Sequence, residues 1–304
     1  MKNKRLLPWL DRSGRLSALK LVVFIALFIP GLLVSSAYFG GALGARPLNE
    51  VLHQAGLWTI RFLFIALAIT PLREILDWPR LVTVRRMLGV AAFAYGSSHI
   101  LLFATDEMFD LGKVALEIIL RFYLTIGFVA LLSLAVLAAT STDAMVRRLG
   151  GKRWRNLHRI VYGIGVLACI HYFIQSKAEV SEPFFMAGLY VWLMGYRAVA
   201  AARREKGPLP LLALVFLALG ASAAVALGEA VYFWLKLGVD PMRVIAANWT
   251  FVAGPRPSFF VLLAALAVVL AAVLRRAAAR FWPAKRRAGA KLASAGASPA
   301  ARAS

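Results

Sequence analysis

The chain has 304 residues, 61% of them hydrophobic, a mean hydropathy of +0.73 and only 16% charged residues, against roughly 25% in a soluble domain. That composition excludes disorder over most of the length and argues against a water-soluble globule, because apolar runs of about 20 residues recur from end to end. The net charge of +22 would suit a nucleic-acid binder, but the basic residues lie between apolar runs, where the positive-inside rule accounts for them and no folded module presents them to nucleic acid.

Eight apolar runs bounded by charge, Pro or Gly predict membrane spans at 18–38, 56–71, 87–104, 117–139, 157–174, 184–201, 209–235 and 258–274. Each is long enough, or nearly so, to cross about 30 Å of hydrocarbon at about 1.5 Å per residue. The first run lacks a clear signal-peptide cleavage site and reads as a retained span. With the N-terminus in the cytoplasm, 28 of the 36 Lys and Arg residues fall on the cytoplasmic side, at every loop in turn. Both termini are therefore expected there. The outer loops are acidic: Asp106, Glu107 and Asp110 follow the third span, Glu179 and Glu182 the fifth. Beyond 275 the chain is basic, then rich in Ala, Gly and Ser, and 276–304 reads as a disordered cytoplasmic tail near anionic lipid headgroups.

Ionisable residues within spans are functional candidates. His99 in the third span and His171 in the fifth stand at similar depth, in the outer half of the membrane. Two imidazoles at one depth on two helices can grip a haem iron from both faces; the alternative is hydrogen bonding within the bundle. His158 lies thirteen residues before His171, a rise of about 20 Å, which suits a second haem nearer the cytoplasm. On a continuous ideal helix the two would not share a face. Fourteen residues before His99 stands Arg85, so an inner haem would lack an ordinary second histidine. His53, just before the second span, is expected at the interface.

Arg85 and Arg86 could pair with haem propionates or a flavin phosphate, or act only as topogenic charge. Arg61 and Arg121, at outer ends of spans, either snorkel or meet outer propionates. Gly163 and Gly165 permit close approach of a haem or of another helix. The single cysteine, Cys169, excludes an intramolecular disulfide and a cysteine-ligated cluster. No phosphate-binding loop or zinc spacing occurs.

Several stretches carry a family resemblance: Ile69-Thr70-Pro71-Leu72, Arg85-Arg86-Met87-Leu88-Gly89 running to His99, Arg121-Phe122-Tyr123-Leu124-Thr125, Thr140-Ser141-Thr142, Leu149 to His158, Val161-Tyr162 and Ile170-His171-Tyr172. Together they resemble the MsrQ family, haem-binding membrane subunits within the ferric-reductase-like transmembrane group that also holds the NADPH oxidases. The resemblance covers about 15–204. It implies an all-α integral membrane protein with a six-span haem-binding bundle at 1–204, here followed by two further spans at 205–275 and the tail at 276–304.

It also implies electron flow from the membrane quinone pool through haem b to a periplasmic molybdenum-containing methionine sulfoxide reductase (MsrP), which repairs oxidised proteins, with FMN as a further cofactor. The catalytic subunit is then a separate protein. His99, His158 and His171 fall on the family's haem histidines; Arg85, where the oxidases have a fourth histidine, agrees with the MsrQ branch. With no soluble NADPH-binding domain after the bundle, a built-in NADPH donor is not expected. A proton-coupled transporter and a non-redox assembly subunit are the competing readings. The extension after Arg204 has no assigned role.

Overall fold

A computed structural model describes residues 7–281 except 12, 178, 204–206 and 251–253. The chain is an all-α integral membrane protein; among the described residues the only β pairing is an isolated bridge between Leu10 and Leu16. Among the described residues eight helices or helix pairs are long and apolar enough to span a membrane, one for each run read from the sequence. Their outward faces carry large apolar side chains such as Leu32, Phe39, Phe216 and Leu270, as expected where the solvent is lipid.

The first span is two helices, α1 (Ala18–Ala26) and α2 (Ile29–Phe39), broken at Leu27-Phe28 with Pro30 in the first turn of α2. Proline lacks the N–H that a continuous helix would need there. The central helix is α3 (Pro47–Ile75). Its 29 residues make it about 44 Å long, and it begins nine residues before the apolar run because Pro47 starts it well. His53 therefore lies on α3 rather than ahead of it. A 3₁₀ turn (Pro79–Val84) leads into α4 (Arg85–Asp106), which packs along α3.

The fourth run, 117–139, is not one helix. Arg121 is extended (φ −101°, ψ 102°) and separates α5 (Leu111–Leu120) from α6 (Phe122–Ala139). Asp110 caps α5 through the Lys113 N–H (2.9 Å), and the Thr125 hydroxyl donates to the Ile118 carbonyl (2.6 Å) across the break. Two short helices follow, α7 (Asp143–Leu149) and α8 (Gly151–Leu157), joined at Gly150, whose φ of +75° suits glycine. The fifth span runs from α8 into α9 (Ile160–Gln175) through a tight turn at His158-Arg159. That turn removes the continuous-helix phase problem between His158 and His171.

Helix α10 (Ser181–Ala202) is the hinge between core and extension: one side packs on α3 and α9, the other on α11 (Leu211–Leu237) and α13 (Pro257–Phe281). At Gly188 a Cβ would come within 2.6 Å of Val225 and Val261, so only glycine allows the three helices to meet so closely. Between α11 and α13 lies α12 (Pro241–Thr250). The extension is thus built into one continuous apolar core with the first six spans. Helix α13 carries the basic Arg275, Arg276 and Arg280 and runs to Phe281; the rest of the expected tail lies outside the described residues.

Candidate haem site

The bundle has a basic end, with Arg85, Arg86 and helices α7 and α8, and an opposite histidine end. At the histidine end α4 and α9 bring the His99 and His171 imidazoles together, ring centroids 6.5 Å apart and planes at 83°. The Nδ1 of His99 bonds the Leu52 carbonyl on α3 (2.8 Å). The Nδ1 of His171 bonds the Tyr123 carbonyl on α6 (2.7 Å). A carbonyl only accepts, so both Nδ1 atoms carry the proton and both Nε2 lone pairs remain for a metal.

Each imidazole also lies on a glycine one turn beyond the accepting carbonyl. A Cβ at Gly56 would sit 3.0 Å from the His99 ring; at Gly127 it would sit 2.7 Å from that of His171. The two helix pairs repeat one device: carbonyl at i, glycine at i+4, imidazole docked across both.

The residues present fit a haem. An iron between two imidazoles, about 2 Å from each coordinating nitrogen, separates the ring centroids by about 6 Å, close to the spacing found. Among the described residues no group of three or more His, Cys, Asp or Glu could hold a metal. A metal at this pair needs further ligands from a cofactor, as a porphyrin provides. Other residues at the histidine end frame the pair. Arg61 pairs with Glu182 (2.8 Å) and lies over Trp58 (4.9 Å); Glu182 also accepts from the Tyr172 hydroxyl (2.6 Å). Arg121 pairs with Glu117 and donates to the Tyr123 hydroxyl (3.3 Å). His53 bonds the Asn49 carbonyl on its own helix (2.7 Å).

His158 stands apart. Its ring stacks on Trp154 at 3.9 Å, its Nε2 meets the Thr140 hydroxyl (3.2 Å), and the Trp154 indole N–H donates to the Thr140 carbonyl (2.9 Å). No second histidine faces it. Arg85 and Arg86 lie within electrostatic range of it. Arg86 is bound to Asp143 (2.7 Å), while half-buried Arg85 makes a long contact with Thr70 (3.4 Å).

Sequence reasoning passed over Arg197. It donates to the carbonyls of Leu193 (2.7 Å) and Leu67 (2.5 Å), lies over the Tyr162 ring (5.4 Å), and acts electrostatically on Arg85. Two guanidiniums towards the basic end of the bundle, with the nearby Glu74 engaged by Arg73 (2.9 Å) and Tyr196 (3.1 Å), make a place for an anionic group. Its position inside the sixth span was the available signal. Gly165 serves helix packing: a Cβ there would strike Tyr190 at 2.5 Å.

Comparison with known proteins supplies the family. A family model described as the ferric reductase like transmembrane component matches residues 55–169. The protein-methionine-sulfoxide reductase heme-binding subunit MsrQ of Rhodospirillum rubrum is 42% identical over 197 residues, covering 64% of this chain and 92% of that relative. The relatives of the same name from Azospira oryzae and Herminiimonas arsenicoxydans are 37% and 41% identical, covering 64% and 63% of this chain and 84% and 89% of theirs. No solved structure matches. This chain, with its paired imidazoles on a ferric-reductase-like bundle, belongs to the MsrQ family.

Proposed function

We propose that this protein is the haem-binding electron-transfer subunit of a methionine sulfoxide reductase system, in a bacterial inner membrane. It takes electrons from the quinone pool and delivers them to a periplasmic molybdenum-containing reductase that repairs oxidised proteins. The observation that carries this reading is the 6.5 Å His99–His171 pair with both Nδ1 protons committed to backbone carbonyls. The relatives' name, heme-binding subunit of a protein-methionine-sulfoxide reductase, supports it. Bound b-type haem would supply one-electron exchange.

The chain's own residues do the rest. His99 and His171 hold the iron; the Leu52 and Tyr123 carbonyls orient the rings and raise their basicity. Apolar neighbours keep water away and so tune the potential. At the basic end His158, Arg85 and Arg86 are assigned to a second, anionic cofactor, haem or FMN, with Arg197 beside them. The core at 1–204 carries the redox route; the helices at 205–275 brace it.

Orientation follows from charge. The basic end faces the cytoplasm and the histidine end the periplasm. The carboxylates Glu107, Asp110, Glu179 and Glu182 then meet the partner. Glu179, exposed, is held below the usual carboxylate range by hydrogen bonds from Ser181, so it presents a negative charge there.

Optical spectra of the purified protein test the reading. A Soret band that shifts on dithionite reduction is expected, lost from the outer site in His99→Ala and in His171→Ala and retained near wild type in His53→Ala. In proteoliposomes, reduced quinone should reduce the haem, and the partner with methionine sulfoxide should reoxidise it. A colourless preparation from haem-replete cells would overturn the assignment, as would full quinol-driven turnover by His171→Ala.

A further inference from the structure

The first span joins the core at Leu27 but leaves most of its length uncovered, with only 11% of its apolar stretch buried. Between α1–α2 on one side and α3–α4 on the other runs a cavity of about 1880 Å³. Tyr95 ties its walls together at mid-depth. The Tyr95 hydroxyl donates to the Leu27 carbonyl (2.8 Å) and accepts from the Gly31 N–H (2.9 Å). Those are backbone groups that the break between α1 and α2 leaves without helical partners, so the clamp satisfies the break and sets the gap.

The cavity exceeds the roughly 300–1,000 Å³ of a compact-ligand pocket, and it is elongated. Its lining extends from Asp11 and Arg80 at the basic end to Gln54 and Leu101 towards the histidine end. The shaft is apolar and aromatic, with Phe24, Phe28, Trp58, Val90 and Ala94 along it. The mouth at the basic end carries three cations, Lys20, Arg80 and Arg86, and two carboxylates, Asp11 and Asp143. Both carboxylates are engaged. Asp143 takes Arg86 (2.7 Å); Asp11 accepts from the Ser13 hydroxyl (2.6 Å) and from the Ser13 and Arg15 N–H groups. Lys20 uses one donor on the Leu10 carbonyl (2.8 Å). With Arg86 taken by Asp143, the cationic donors left at the mouth are those of Lys20 and Arg80, a pair suited to a phosphate.

We propose that this groove binds one anionic diacyl phospholipid, its phosphodiester at Lys20 and Arg80 and its acyl chains along the Phe24, Phe28 and Ala94 shaft. A zwitterionic headgroup would bring an ammonium to a mouth that already holds three cations against two carboxylates. An isoprenoid quinone would suit the shaft but leave the cationic donors unpaired. A phosphate monoester such as FMN would suit the mouth and leave the shaft empty.

Native mass spectrometry of the full chain tests this. Phosphatidylglycerol, phosphatidylethanolamine and an isoprenoid quinone are added in turn. One phosphatidylglycerol adduct is expected to survive activation best. Arg80→Gln, at an exposed position, should weaken its retention by about tenfold, the scale of one charge-assisted contact. Ala94→Trp, which fills the shaft, should abolish it, and added FMN should not displace it. Equal retention of all three ligands, preferential retention of the quinone, displacement by FMN, or indifference to both substitutions would each overturn the proposal. Helical circular dichroism of both variants, matched to wild type, separates loss of binding from loss of fold.

Discussion

Gly127 stands closer to its imidazole than Gly56 does to its own. A Cβ would lie 2.7, 2.8 and 3.1 Å from three atoms of His171, against 3.0, 3.1 and 3.7 Å from His99. Neither ring can retreat without breaking its carbonyl hydrogen bond. Overpacking of this kind costs about 1–3 kcal/mol, and here it falls on ligand position. Gly127→Ala should therefore lower haem content and broaden or shift the low-spin electron paramagnetic resonance signal, and Gly56→Ala should do so less. Equal, wild-type spectra for both would show that the glycines do not set the rings. The histidine pair itself was legible in the sequence, because helical rise alone places His99 and His171 at one depth. Their supports were not: a backbone carbonyl has no sequence signature, and Gly56 and Gly127 lie on other helices. Arg197 was absorbed into the count of topogenic charges, which hides whether a guanidinium faces lipid headgroups or the bundle interior.

At the scale of elements, the eight spans follow from hydropathy, but their breaks do not. The breaks at Leu27-Phe28, Arg121 and His158-Arg159 fall inside or beside runs that hydropathy cannot subdivide. The extension shows the same limit. Its apolar helices were evident, whereas its polar knot was not. Glu229 on α11, 1% exposed, pairs with Arg256 ahead of α13 (3.1 Å), which also lies over Phe233 (5.7 Å). Beside them the Ser258 hydroxyl donates to Asn248 on α12. Among the described residues Glu229 Oε2 and Arg256 Nε have no hydrogen-bond partner, so the knot already carries a desolvation cost. Removing one side of a buried pair costs about 3–5 kcal/mol, while replacing both by apolar groups is often neutral. Arg256→Met should lower the thermal midpoint in detergent clearly, and Glu229→Met combined with Arg256→Met should recover most of the loss. A double variant no better than the single one would show that the pair acts through more than its buried charge.

For the whole molecule, the asymmetry of basic residues and an even number of candidate spans together predict that both ends of the chain lie on one side. Reporter fusions after Lys206 and after Arg287 should both read cytoplasmic; a periplasmic signal after Arg287 would mean an odd number of crossings in the extension. Truncation after residue 281 should leave quinol-driven turnover mostly intact, because the removed segment would lie on the side opposite the histidine pair. This expected division of ends rests on charge alone, since it depends on counts along the chain rather than on packing.

The two imidazoles belong to different helix pairs: His99 to α3–α4, which pack extensively on each other, and His171 to α6–α9. A metal shared between them is also a stitch between two halves of a membrane protein. Ligand binding to the folded state alone stabilises it by mass action. Cofactor scarcity should then shorten the life of the chain, not merely leave it inactive. In haem-starved cells, pulse-chase labelling should show faster removal of the wild-type protein by membrane proteases, and His171→Ala should decay at that faster rate whatever the haem supply. Abundance of the subunit would thereby follow the availability of its own prosthetic group, without a dedicated sensor.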